Sequence, residues 1–182
     1  MSYPIEWVYN EGGVGPLIRE YPEGTSETFL RGALVIYDRS EDGVVEVTVA
    51  SGVPSTTVHL GIALRAATGT AGSRIPVLIP RSGDVFKATL ASDENTQVAP
   101  QTDDRGQLYG LIKLASGGTA GHFVVNTGAA TWVKVIDVNP EDLAKRGLDP
   151  LVVQAQANFT AGSDGVIFRI IESVLAASGS QA

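Results

Sequence analysis

Apolar positions along this chain come in short runs divided by turn residues, the mark of a β-protein rather than of packed helices. Phe29 to Tyr37 is the first regular run. It closes at Ser40-Glu41-Asp42-Gly43, where Asp-Gly supplies hairpin chemistry. Val45, Val47 and Val49 alternate with Glu46 and Thr48, which puts one face of a strand inside and the other in water. Val58 to Ala67 and Ile75 to Ile79 flank a Gly-rich turn, Thr68-Gly69-Thr70-Ala71-Gly72, and Gly83-Asp84-Val85-Phe86 opens the next run. Pro76 cannot donate a ladder hydrogen bond, so its strand is expected to be an edge, a bulge or a strand start.

Residues 93–106 are polar, contain Pro100, Asp103 and Asp104, and read as a long surface loop. Strands are predicted again at Leu108 to Ala115, Phe123 to Asn126 and Trp132 to Ile136. One helix is signalled: Asn139 can cap it, Pro140 suits its first position, Glu141 and Asp142 complement its dipole, and Gly147 stops it. It is a connector of about two turns. Leu151 to Phe159 and Val166 to Leu175 form a hairpin pattern around Gly162-Ser163-Asp164-Gly165. The expected fold is all-β: a compact β-barrel or β-sandwich of short antiparallel strands, with an extended N-terminal arm and one short helix. Residues 29–176 form the β-domain, and residues 177–182 form a flexible tail.

Residues 1–28 carry the arm. Pro4, Pro16, Pro22, Gly12, Gly13 and Gly15 oppose regular structure there. Yet Tyr3, Ile5, Trp7, Tyr9, Leu17, Ile18 and Tyr21 are costly to leave in water. Two solutions satisfy both facts. The segment is an arm laid on its own domain or on a neighbouring subunit, or it is an irregular edge packed on its own core. Those seven residues are the interface candidates, with Trp7 the foremost because Trp and Tyr anchor interfaces. Trp132, within an alternating strand, reads as core.

Composition narrows the function classes. The chain has 182 residues, 43% of them hydrophobic, enough for one domain that buries roughly 70% of its unfolded surface. It has no cysteine, so disulfides, thiolate metal sites and a cysteine nucleophile are excluded. Its net charge of −7 opposes phosphate contact, so nucleic acid is not an expected partner. No apolar run approaches the roughly 20 residues of a membrane-spanning helix. Residues 1–6 lack the pattern of a secretory signal, and synthesis in the cytoplasm is expected.

The chemistry-bearing residues form no constellation. His59 and His122 are far apart in sequence, which disfavours a histidine metal site. No G-x-S-x-G elbow surrounds a serine, and Ser73 lies in a turn. Asp93-Glu94 and Asp103-Asp104 read as solvated loop acids with ordinary pKa values. The Gly69-to-Gly72 and Gly117-to-Gly121 segments lack the lysine and helix of a phosphate loop and read as turns. The reading is of a noncatalytic protein with no cofactor and no metal.

Leu60-Gly61-Ile62-Ala63, Gly69-Thr70-Ala71-Gly72, Val77 with Gly83-Asp84-Val85-Phe86, and Gly165-Val166-Ile167-Phe168-Arg169-Ile170 together resemble bacteriophage head decoration proteins. In that family a small β-domain cements the outside of an icosahedral shell. The resemblance implies a virion structural protein on the outer capsid surface, bound to the major capsid protein and commonly a homotrimer. It also implies that deleting residues 1–24 leaves a folded domain with weakened trimer or capsid affinity. A phage tail or baseplate β-domain is the alternative within phage structure. A carbohydrate-binding module or small hydrolase, using the acidic loop and aromatics such as Trp7 and Trp132, is the alternative outside it.

Overall fold

The computed structural model describes residues 4–46, 61–115, 120–128, 132–138 and 165–171, and among them the chain is nearly all β. The strands are β1 (Glu6–Asn10), β2 (Ile18–Pro22), β3 (Leu34–Asp38), β4 (Gly43–Glu46), β5 (Gly61–Ala63) and β6 (Arg74–Leu78). They continue as β7 (Asp84–Ala91), β8 (Gln97–Val98), β9 (Leu108–Lys113), β10 (Phe123–Asn126), β11 (Val133–Val138) and β12 (Gly165–Ile170). The capping segment at Asn139, the Leu151 to Phe159 strand and the tail lie outside the described residues, as do Val47, Val49 and His59.

β7 is the longest strand, and nearly every side chain on it is buried. That pattern requires cover on both faces, which core packing supplies, and the strand is also paired along both edges. β10 lies parallel on Leu90 and Ala91, and β12 lies antiparallel on residues 86–89. The ladder then runs β10 to β9, β9 to β11 and β11 to β12, all antiparallel. The path returns to β7, so five strands close into a barrel. β1 runs beside the first half of β7, and β8 beside its end.

The second sheet has the order β2-β6-β5-β3-β4, antiparallel throughout. Its two outer strands also meet. A parallel bridge joins Glu23 to Val44, and the Gly24 amide donates to the Val44 carbonyl at 3.0 Å. Both sheets feed one core, in which Leu34, Val44 and Ile75 of the second sheet join Phe86, Phe123 and Trp132 of the first. Phe86 and Phe168 stack there with ring centroids 5.8 Å apart. Each such side chain contributes about 1.5–3 kcal/mol by leaving water.

Several details depart from the sequence expectations, each for a physical reason. Val44, rather than Val45, is the fully buried residue of β4, while Val45 is half-buried. The β2–β4 closure covers what would have been a solvated face, so simple alternation fails there. Pro76 sits in a strand paired on both sides. Its carbonyl accepts from Leu64, just past the end of β5, so the missing N–H falls where the ladder is already ending. Residues 93–106 are more than a loop: they hold β8 and a 3-10 turn at Thr102–Asp104, whose Asp104 is buried.

Residues 4–28 lie on their own domain, where β1 and β2 are members of the two sheets and Ile5 belongs to the core. Deleting residues 1–24 would therefore remove two strands and the β2–β4 bridge, which corrects the expectation of a folded remainder. Gly43 shows how tight that bridge is. A Cβ on Gly43 would stand 2.5 Å from the Gly24 nitrogen and 2.6 Å from the Glu23 carbonyl carbon. Both are backbone atoms, which cannot swing aside. Gly43→Ala is expected to cost about 1–3 kcal/mol, read as a lower urea midpoint with an unchanged slope.

Candidate functional site

The connection between β1 and β2 is held from inside. Asp84, at the start of β7, is buried, and it accepts from the Asn10 amide nitrogen at 2.9 Å and from the Trp7 indole N–H at 3.1 Å. The Arg81 amide donates to its other oxygen at 2.8 Å. Asn10 also donates to the Ser82 carbonyl, and its own oxygen receives the Gly12 amide at 2.8 Å. Further out, the Glu11 amide bonds Gly83, the Arg81 guanidinium reaches the Gly15 carbonyl, and the Ile79 amide bonds Leu17. Residues 11–17 therefore lie along residues 79–83, fixed at three points.

This frame sorts the interface candidates. Ile5 is core, and Trp7 and Tyr21 are half-buried. The Tyr21 ring leans on Tyr37 at 6.2 Å between centroids. Leu17 is half-buried as well, and Tyr3 lies outside the described residues. Tyr9 and Ile18 are 47% and 48% exposed, and Val14, which the sequence reading passed over, is 50% exposed. A bulge at Val8 separates Trp7 from Tyr9. Trp7 stands opposite Phe86 and Tyr9 opposite Val85, neighbours on β7 that point to opposite faces. Two residues that a regular strand would put on one face are thus divided, one tucked inward and one outward. Trp7 is an internal donor before it is an anchor for a partner.

The second feature is Glu23, directly after β2, with 1% of its surface exposed. Its carboxylate accepts the Thr68 amide at 2.9 Å, the Thr68 hydroxyl at 2.8 Å and the Gly69 amide at 2.6 Å. Its backbone also bonds the same turn, the amide donating to Ser73 and the carbonyl accepting from Gly72, each at 2.8 Å. Gly69 holds φ +76°, a conformation that an L side chain resists and that aims its amide inward. The Gly-rich turn is indeed a concave set of amides, and the chain's own carboxylate fills it. Burial pushes the Glu23 carboxyl up. The Thr68 amide and hydroxyl, with the Gly69 and Thr70 amides, outweigh burial and hold it below its ordinary range.

Other titratable groups are shifted by burial or by hydrogen bonds. Asp104 accepts the Tyr109 hydroxyl at 2.5 Å and the Gln101 amide at 2.6 Å. Burial, then the Asp104 carboxylate, pushes the Tyr109 hydroxyl well above its ordinary range. Asp93 is held low by the Asn95 amide, which donates to it at 2.8 Å. Of the four loop acids expected to be solvated, Asp93, Glu94 and Asp103 are exposed, Asp93 bound in a turn, and Asp104 is buried. Burial pulls His122 below its ordinary range. Among the described residues, no three of His, Asp and Glu gather where a metal could sit.

Glu23 yields a test with a defined sign. Its folded-state pKa lies below the ordinary 4.5, so its stabilisation is fully present above about pH 4.5 and is lost as pH falls through the lower folded value. Glu23→Gln is expected to cost about 1.5–3 kcal/mol at pH 7, read by urea titration. Between the two pKa values the gap between the proteins should narrow as pH falls, because only the wild type loses this contribution. The chain matches no protein-family model, no curated protein and no solved structure.

Proposed function

We propose that this chain is a noncatalytic virion structural protein: a capsid decoration protein that binds the outer surface of an assembled phage shell. It bridges major capsid protein subunits and acts as a homotrimer. The observation that supports this reading is the apolar rim of residues 9–18, where Tyr9, Val14 and Ile18 stand in water on a backbone fastened from beneath. A prefixed backbone loses little entropy on docking, so modest contacts suffice when a lattice repeats them many times. Binding only the assembled shell then stabilises that state by mass action. The glycan-platform reading weakens, because Trp132 is fully buried and the Trp7 indole is committed to Asp84.

The first test is the copy number of this chain in purified particles of its source. A fixed lattice ratio to the major shell protein is expected. A few copies per particle would move the protein to the tail or baseplate, and its absence would overturn the virion reading. The paired change Tyr9→Ser with Val14→Ser should weaken binding to shells by at least about tenfold. The urea midpoint should stay close to wild type, since neither side chain is buried. Undiminished shell binding by that variant would show that the rim is not the docking surface.

A further inference from the structure

β2 has a second, unused side. The Ile79 amide donates to the Leu17 carbonyl at 2.9 Å and the Glu23 amide to Ser73 at 2.8 Å, in one unbroken antiparallel register with β6. Those two bonds set the alternation along the strand. Leu17, Arg19, Tyr21 and Glu23 direct their backbone groups at β6, and Ile18, Glu20 and Pro22 direct theirs the other way. At the Gly24 end that other side meets β4. β4 begins only at Gly43, where the chain turns away through Asp42 at φ +48°. Among the described residues, none pairs with Ile18 or Glu20 on this side. Ile18, Arg19 and Glu20 are all exposed.

An open strand edge is a template for another strand. We propose that this edge pairs antiparallel with the same edge of a second copy of this chain, with the two Ile18 residues facing each other across a two-fold axis. The charges select that occupant's register. A two-fold pairing over this short edge centres on residue 18, 19 or 20. Centring on Arg19 sets two guanidiniums directly opposite, and centring on Glu20 sets two carboxylates opposite, each destabilising. Centring on Ile18 sets apolar against apolar, Arg19 against Leu17 and Glu20 against Pro16. Each Ile18 N–H then meets the other Ile18 carbonyl, and each Glu20 N–H meets a Pro16 carbonyl. The missing N–H of Pro16 removes only the reverse bond of that outer pair. Arg19 and Glu20 cancel, so the edge is locally neutral although the whole chain carries −7. The contact is two-fold, separate from the threefold association proposed above, and it stands whether or not the chain belongs to a virion.

Sedimentation velocity of the full chain across a concentration series tests this, with Ile18→Lys and Glu20→Pro beside wild type. Ile18→Lys sets two ammonium groups at the axis, and Glu20→Pro removes an N–H that points away from β6. Both should weaken self-association by at least about tenfold. Ile18 is exposed, so its variant should keep the wild-type urea midpoint and carry the test even if the proline variant folds poorly. In wild type, hydrogen exchange at the Ile18 and Glu20 amides should slow as protein concentration rises. A wild type that stays monomeric to about 1 mM overturns the proposal. So does an assembly that Ile18→Lys leaves within about twofold of wild type. An assembly in which both amides exchange freely overturns it as well.

Discussion

A single buried carboxylate decides how the second sheet closes. Moving a carboxylate out of water costs several kcal/mol, and among the described residues no cation stands beside Glu23 to offset it. Backbone amides do so instead. The turn at residues 68–72 aims N–H groups at the carboxylate, while the Glu23 main chain bonds Ser73 and Gly72 on that same turn. One residue therefore fixes the end of β2 against the loop that leads into β6. The next residue, Gly24, reaches Val44, so the same point also ties β2 to β4. Without the Glu23 carboxylate the turn would lose its filling, and the backbone contact that joins the outer strands would lose the anchor beside it.

Asp84 plays the corresponding part for the barrel. It gathers Trp7, Asn10 and Arg81 at the start of β7, where β1 meets the barrel and the chain arrives from β6. Asp84 holds the start of the connection between β1 and β2, and Glu23 holds the far end of β2. Between them, the backbone of residues 10–23 is fastened by hydrogen bonds that need none of the outward side chains. Closure of both sheets removes most strand edges, the usual protection against unwanted pairing. Among the described residues, the short stretch of β2 that β4 does not reach stays open, as does the outer edge of β1.

The strands were largely legible because turn chemistry and apolar runs bound them closely. Phe123 to Asn126 is a strand from end to end, and Asp-Gly does close the β3–β4 hairpin. Trp132 reads as core from its neighbours and is core. Glu23 was not legible. An acid between Pro22 and Gly24 looks like a solvated turn residue, and nothing local reports that a turn some forty-five positions later will wrap it. The same limit hid the inward role of Trp7, whose partner Asp84 is likewise remote in sequence. The bulge at Val8 depends on the register against β7, which periodicity within β1 does not encode. Alternation in β4 failed for a related reason, since closure onto β2 buries a face that an open hairpin would leave wet.

Folding accounts for the inward residues of the first segment but not for the outward ones. Ile5 joins the core, Trp7 satisfies Asp84, and Tyr21 packs on Tyr37. Tyr9, Val14 and Ile18 stand in water while the backbone beside them is held by other groups. Single exposed apolar residues are ordinary on any protein surface. Three within ten consecutive positions, on a backbone already fixed, are a different case. Their exposure adds nothing to either closure, and polar side chains would sit there at no cost to the fold. Their apolar character is a property of the surface, and it acquires a physical use only when another surface covers it.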